Sequence, residues 1–236
     1  MGETRIDQLR TLMTEAGDPT EAQEQQAYHK SSLSFHGLKT EKLREISQQV
    51  FPEKQFSRDE HLPLIGELWR SEWFDDRMAA LWLMEQARRV LTPDDLDGLR
   101  AMSRECTGWA ELDALALRIL SPMALDFETA VFKPVRAWSS DECMWTRRAS
   151  ILVHIIPARE QRLASEYAWS TFEERLPETE VFIRKAIGWT LREISKHYPR
   201  EVFGFLTRVG DRASALTRKE AARRLPDELR IPILGK

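Results

Sequence analysis

Cysteine is scarce in this sequence. Cys106 and Cys143 are its only two, they stand 37 residues apart, and neither opens a Cys-x-x-Cys or Cys/His spacing. A disulfide framework and a zinc site readable from sequence are therefore both without support. The five histidines, at 29, 36, 61, 154 and 197, form no His-Glu-x-x-His or similar cluster. His154, in Ile-Leu-Val-His-Ile-Ile, is expected as a hydrogen-bonded core residue. Glycine and proline together supply 21 of 236 residues, too few for a low-complexity or fibrous chain, and no Gly-rich phosphate loop occurs. No apolar run approaches the length of a membrane span, and Glu3, Arg5 and Asp7 put charge where a signal peptide would be apolar. A cytoplasmic protein with no metal, no other cofactor and no membrane partner is expected. Charge of one sign is also lacking: 35 Lys and Arg against 38 Asp and Glu leave −3, which excludes a globally basic, histone-like binder.

What is present is a globular composition, 42% apolar and 31% charged, with eight tryptophans. The small net charge hides an asymmetry. Residues 181 to 236 hold thirteen Lys and Arg against six Asp and Glu, a local +7 on an otherwise acidic chain. Such a segment suits a localised polyanion site, although a solvated, charge-rich helical surface would read the same way.

Apolar residues recur at helical spacing in almost every segment, as at Met78, Leu81 and Trp82 or at Ile183, Ile187, Leu191 and Ile194. No stretch alternates with period two for long enough to make a strand. Ser57-Arg-Asp-Glu60 and Thr217-Arg-Lys-Glu220 read as capping boxes, Thr92-Pro93-Asp94-Asp95 as a helix start, and Pro157, Pro199 and Pro226 as stops. The expectation is an all-α protein of roughly a dozen helices with short connections.

An internal repeat organises them. Phe74-Asp-Asp-Arg77, Trp109-Ala-Glu-Leu-Asp113, Trp145-Thr-Arg-Arg148 and Phe182-Ile-Arg-Lys185 each place an aromatic three or four positions before a charged residue, and small and apolar residues follow. The charged positions lie 36, 35 and 37 apart. That period fits a HEAT-like helical-repeat solenoid whose equivalent positions line a concave, mostly basic face. Asp113 is the acid in this stripe. It is explained either by the helix macrodipole and a pairing with Arg148 one repeat on, or by a carboxylate kept among phosphates to meet something cationic.

At these residues the chain resembles the AlkD-like DNA alkylation repair proteins, from about Tyr28 to Leu225. The most specific stretch, Phe182-Ile-Arg-Lys-Ala-Ile-Gly-Trp-Thr-Leu-Arg-Glu193, is similar to the family's Lys-Ala-Ile-Gly-Trp-x-Leu-Arg-Glu signature. Trp145-Thr-Arg-Arg148-Ala-Ser-Ile-Leu152 resembles its Trp-x-x-Arg-Ala-x-Ile-Leu. Trp109-Ala-Glu-Leu-Asp113 keeps the second Trp and last Asp of a Trp-Trp-Asp-x-Val-Asp element, with Gly108 and Ala110 replacing the first Trp and first Asp. Tyr28 and Gly37-Leu-Lys-Thr40 match shorter family features.

The resemblance implies one HEAT-like-repeat domain over 1–236, with 226–236 as a C-terminal tail. It also implies a monomeric, monofunctional DNA glycosylase acting on positively charged alkylated purines, such as 3-methyladenine and 7-methylguanine, in double-stranded DNA. Trp109, Asp113 and Trp189 would form its catalytic cleft, Arg148 would hold backbone beside it, and Tyr28 would be a wall residue, with Thr40 also on the DNA side. Lys185, Arg218, Lys219 and Arg223 are candidates for further phosphate contacts. The other six tryptophans are expected in the core. An alkylated purine is already a good leaving group, so one carboxylate and two indole faces suffice to stabilise the sugar cation, and neither a second carboxylate pair nor a deep base pocket is expected. Two alternatives are a non-catalytic helical-repeat protein that binds DNA structures or another protein, and an alkyl transferase, for which neither cysteine has a nucleophile motif.

Overall fold

The structure is a computed structural model that describes residues 4–52 and 57–235. The fold is an all-α helical repeat. In chain order the helices are α1 (Arg5–Ala16), α2 (Pro19–His29), α3 (Thr40–Val50), α4 (Arg58–Trp69), α5 (Phe74–Gln86), α6 (Leu96–Glu105), α7 (Trp109–Leu115), α8 (Ser121–Phe127), α9 (Thr129–Ala137), α10 (Met144–Leu152), α11 (Ile155–Arg159), α12 (Ser165–Arg175), α13 (Val181–Ile194), α14 (Pro199–Val209), α15 (Ala215–Ala221) and α16 (Asp227–Leu234). Residues 116–120, after α7, form a π turn. Among the described residues the nearest approach to a sheet is one isolated parallel bridge between Ser34 and Trp73.

The helices exist because each has an apolar stripe to bury. Ile6, Leu9 and Met13 on α1, and Val202, Phe205, Leu206 and Val209 on α14, recur at three- and four-residue spacing and are buried. Each such side chain removed from water contributes about 1.5 to 3 kcal/mol before the entropy of ordering is subtracted. Start signals behave less simply. Thr4 and Asp7 form a true capping box on α1, and Asp18 caps α2 with Pro19 following it. Ser57 precedes α4 but its side chain caps nothing, and α15 starts before Thr217, whose amide is capped by Ser214 at 3.1 Å. The prolines expected as stops fall at starts: Pro199 opens α14, Pro226 precedes α16, and Pro157 sits in the first turn of α11. A first-turn residue has no amide partner to lose, so proline fits there at little cost.

The chain divides into two compact units, Met1–Asp95 with Glu105–Ile119, and Leu96–Arg104 with Leu120–Lys236. In the first unit α5 packs against α3, α4 and α7, and α1 against α3. In the second, α13 packs against α10, α11 and α15, and α14 against α16. The α13/α15 approach needs Gly188, where a Cβ would lie 2.7 Å from the Cβ of Glu220 and 3.1 Å from the Thr217 oxygen.

Hydrogen bonds fix the register of the repeat and correct its first member. Arg77, Arg147 and Arg184 each donate six residues back to a backbone oxygen, that of Ser71 (2.9 Å), Asp141 (2.8 Å) and Glu178 (2.8 Å). Each is the fourth residue of its helix. The fifth residues are Met78, Asp113, Arg148 and Lys185, so Met78 and not Arg77 is the counterpart of Asp113. Matching by charge hid the slip, because the arginine one position earlier looks like the same feature. His154 differs from expectation too. It is buried, but its Nδ1 has no hydrogen-bond partner among the described residues, and its ring stacks on Phe132 at 5.2 Å. Burial drives its pKa down to about 3, so it is a neutral aromatic filler.

Candidate active site

In the first unit α2, α3, α5, α7 and the π turn line a half-open cavity of about 380 Å³. Its walls follow from helical spacing. Phe74, Asp75, Met78 and Trp82 come from one side of α5, Trp109, Ala110, Asp113 and Ala114 from one side of α7, and Leu117 and Arg118 from the π turn. Thr40, Leu43 and Arg44 come from α3, and Gln25 and His29 from α2. The cavity is half-open, and along α7 the small side chains of Ala110 and Ala114 flank Trp109 and Asp113 in its lining.

Trp109 and Asp113 lie one turn apart on α7, so their side chains share a face. The start of α7 is pinned from below. Glu111, 1% exposed, accepts from the Thr107 amide (3.0 Å) and hydroxyl (2.7 Å) and from Arg77 (3.2 Å). Arg77 also donates to the Glu105 carbonyl (3.0 Å) and lies over the Trp69 ring. Arg77 therefore positions the helix that carries Trp109 and Asp113. Trp109 belongs to an aromatic cluster: His29 is 5.2 Å away, and Tyr28, 70% exposed, meets it edge-on at 5.9 Å. His29 also stacks on Phe74 at 5.1 Å, and burial holds its pKa below the usual histidine range.

Gly37 explains how Thr40 reaches the cavity. Its φ of +79° and its closeness to α2, where a Cβ would lie 2.1 Å from the Asp18 oxygen, admit no side chain. The following Leu38 carbonyl accepts from Gln25 at 3.1 Å, which seats the segment leading into α3 with Thr40 at its first position.

Asp75 is a carboxylate that sequence reasoning passed over. It is 2% exposed, lines the cavity that Asp113 lines, and accepts from the His36 amide at 2.7 Å. Burial pushes its pKa up to about 6, against the lowering effect of that hydrogen bond. As a first-turn acid of α5, Asp75 looked like ordinary helix-dipole chemistry; its burial was not visible. Trp82 was assigned to the core but lines the cavity, whereas Trp69 and Trp138 are buried as expected and Trp73 is 38% exposed, stacked on His36.

The remaining candidates lie in the second unit. Arg148, 5% exposed, donates to the Phe182 carbonyl at 2.6 Å and so ties α10 to the start of α13. Lys185 and Trp189 lie one turn apart on α13, Lys185 exposed and Trp189 half-buried. Arg218 pairs with Asp211 at 2.6 Å and Arg223 with Glu220 at 3.3 Å, both at the surface where such pairs contribute little. Lys219 is exposed and, like Lys185, makes no ion pair among the described residues. Of the expected tail, residues 227–234 form α16. No helix among the described residues is long and apolar enough to cross a membrane.

Comparison with known proteins agrees with this architecture. A structure described as a predicted DNA alkylation repair enzyme from Enterococcus faecalis superposes with a TM-score of 0.82 at 20% identity, covering 89% of this chain and 97% of that one. AlkD2 from Streptococcus mutans gives a TM-score of 0.60 at 18% identity over 78% and 90% of the two chains, and smu.31 from Streptococcus mutans UA159 gives 0.60 at 17% over 91% and 100%. At these identities the likeness is one of fold. No curated protein matches the sequence significantly. The profile of the family described as DNA alkylation repair enzyme matches residues 9–225, nearly the whole chain, and the protein belongs to that family.

Proposed function

We propose that the protein is a monofunctional DNA glycosylase that hydrolyses the N-glycosidic bond of positively charged alkylated purines in duplex DNA. The observation that supports this reading most is that Asp113 lies one turn from Trp109 and both line the cavity, with the exposed Tyr28 ring edge-on to Trp109. As the bond between the anomeric carbon and the purine nitrogen breaks, its electron pair neutralises the cationic base. The sugar is left as an oxocarbenium-like cation, which the Asp113 carboxylate stabilises and the Trp109 face attracts. Water then adds to the anomeric carbon and its proton leaves to solvent. Trp189 is assigned the same kind of sugar contact by its family motif.

Affinity for DNA comes in this reading from phosphate contacts by Lys185, Arg218, Lys219 and Arg223, without base specificity. Arg148, whose Nη1 already donates to Phe182, orders the start of α13 near Lys185. The test is incubation with methylated duplex DNA and chromatography of the released bases. Free 3-methyladenine and 7-methylguanine are expected, with uracil-containing DNA left intact. Tight DNA binding without release would instead favour a non-catalytic DNA-structure binder, and efficient uracil release would overturn the charge-based selectivity.

A further inference from the structure

Trp109 is held by rings alone. Its indole N–H makes no hydrogen bond among the described residues, so the plane of the ring is set by what packs against it. Its ring neighbours there both come from α2: Tyr28, edge-on at 5.9 Å, and His29, tilted by 37° at 5.2 Å. Tyr28 is 70% exposed and anchors little. His29 is half-buried and is itself clamped, stacked on Phe74 at 5.1 Å and on Phe35 at 5.7 Å, while those two rings stack on one another at 4.5 Å. The backbone around it is seated as well. The Ser31 hydroxyl, just after α2, lies 2.8 Å from the Thr107 hydroxyl, just before α7, and the backbone oxygen of His29 would be 3.7 Å from a Cβ at Gly108. His29 Nδ1 is buried without a hydrogen-bond partner among the described residues, so the ring serves the cluster as an aromatic surface. Burial disfavours its charged form.

We propose that His29 is a positioning residue for the excision reaction, its neutral ring fixing the plane of the Trp109 indole that attracts the sugar cation. This role rests on the glycosylase reading, in which Trp109 meets that cation. An imidazolium 5.2 Å from the indole would take up part of the same π attraction and repel the sugar cation across the ring, whereas a neutral imidazole adds only dispersion and quadrupole contacts. Positioning therefore works while His29 is neutral and fails as it takes up a proton. Phenylalanine fills the same place in the stack and cannot charge. The other ionisable groups around the cavity are Asp75 on α5, Asp113 on α7, Arg44 on α3 and Arg118 on the π turn, with Tyr28 and Lys30 on either side of His29 in sequence. Beyond the cavity, Glu111 lies on α7 and His36 beside Phe35. All of these are common to the wild type and His29→Phe, so their titration cancels in the ratio of the two rates.

The experiment follows single-turnover release of 7-methylguanine from methylated duplex DNA between about pH 4.5 and 8 by the full chain, His29→Phe and His29→Ala, with release in the absence of protein subtracted. At the alkaline end His29→Ala is expected to lose about tenfold through misplacement of the indole, and His29→Phe to recover most of that loss. Toward the acid end the ratio of wild-type to His29→Phe rates is expected to fall by about threefold to thirtyfold, the range of one cation–π contact. Tryptophan emission gives a second readout that needs no substrate: an imidazolium quenches an indole it touches, so wild-type emission should drop on acidification by an amount that His29→Phe does not show. Parallel rate profiles in the wild type and His29→Phe, an acid emission change common to both, or a wild-type rate in a His29→Ala protein of unchanged melting temperature would each overturn the proposal. Failure of the glycosylase reading is distinguishable: the wild type then releases no base at any pH, while the emission difference still decides whether His29 is coupled to Trp109.

Discussion

Replacing Asp75 with asparagine tests the electrostatics of the cavity in a way that needs no substrate. Asp75 is 2% exposed and its pKa rises from 3.8 to about 6 on folding, chiefly through burial. A folded-state pKa above the unfolded value means that the native protein binds the proton more tightly. The associated stability is fully present below pH 3.8 and is lost as the pH rises through about 6. The difference amounts to about 3 kcal/mol, at 1.36 kcal/mol per decade of proton affinity. Asparagine keeps an oxygen to accept from the His36 amide but cannot ionise, so Asp75→Asn lacks this loss. Urea unfolding of both proteins between pH 4 and 8 measures it. The difference in unfolding free energy should move by about 2.5 kcal/mol in favour of the asparagine variant from the acid to the alkaline end, mostly between pH 4 and 6.5. Titration of other groups, such as Asp141, whose pKa is held down to about 2 by Arg104 and Arg100 against its burial, is common to both proteins and cancels in the difference. Parallel stability profiles would refute the claim that Asp75 carries a buried charge at neutral pH.

Other consequences follow from the contacts that build the site. Glu111→Gln leaves the half-buried Arg77 without its counter-charge but with the carbonyls of Ser71 and Glu105, so urea unfolding should show a loss of about 2 to 4 kcal/mol. Retained stability would mean that the pair does not anchor α7. Gly37→Ala places a Cβ against the Asp18 oxygen in a left-handed backbone, and a loss of about 2 to 3 kcal/mol is expected by the same assay. Lys185→Ala should flatten the log-log salt dependence of DNA binding by about one unit, as measured by anisotropy across a salt series. An unchanged slope would remove Lys185 from the phosphate contacts.

The all-α class was legible because helical periodicity is local: Ile183, Ile187, Leu191 and Ile194 need no partner to be read as a stripe, and all four are buried. The 35- to 37-residue repeat was legible for the same reason, and its first member slipped because Arg77 offers a charge one position before Met78. Only the backbone hydrogen bonds of Arg77, Arg147 and Arg184 separate the two registers. Trp109 and Asp113 were found through a motif and do share a helix face. The cavity was not legible, since its walls come from residues as far apart as Gln25 and Arg118, and no local pattern distinguishes Trp82 from a core tryptophan. Asp75 was hidden for a related reason: burial decides whether a first-turn acid is a solvated charge or part of a site, and burial is a property of the packed fold.

The most direct test of the account is single-turnover excision from methylated duplex DNA by Asp113→Asn, with melting temperature and DNA affinity measured on the same preparation. The substitution keeps size and removes the charge that stabilises the sugar cation, a change that typically costs about 3 to 4 kcal/mol, or roughly 10² to 10³ in rate. Base release should fall by that factor while the protein stays folded and its affinity for undamaged DNA holds or rises, because a carboxylate repels phosphate. Base release at the wild-type rate by a folded Asp113→Asn protein would contradict the catalytic assignment outright.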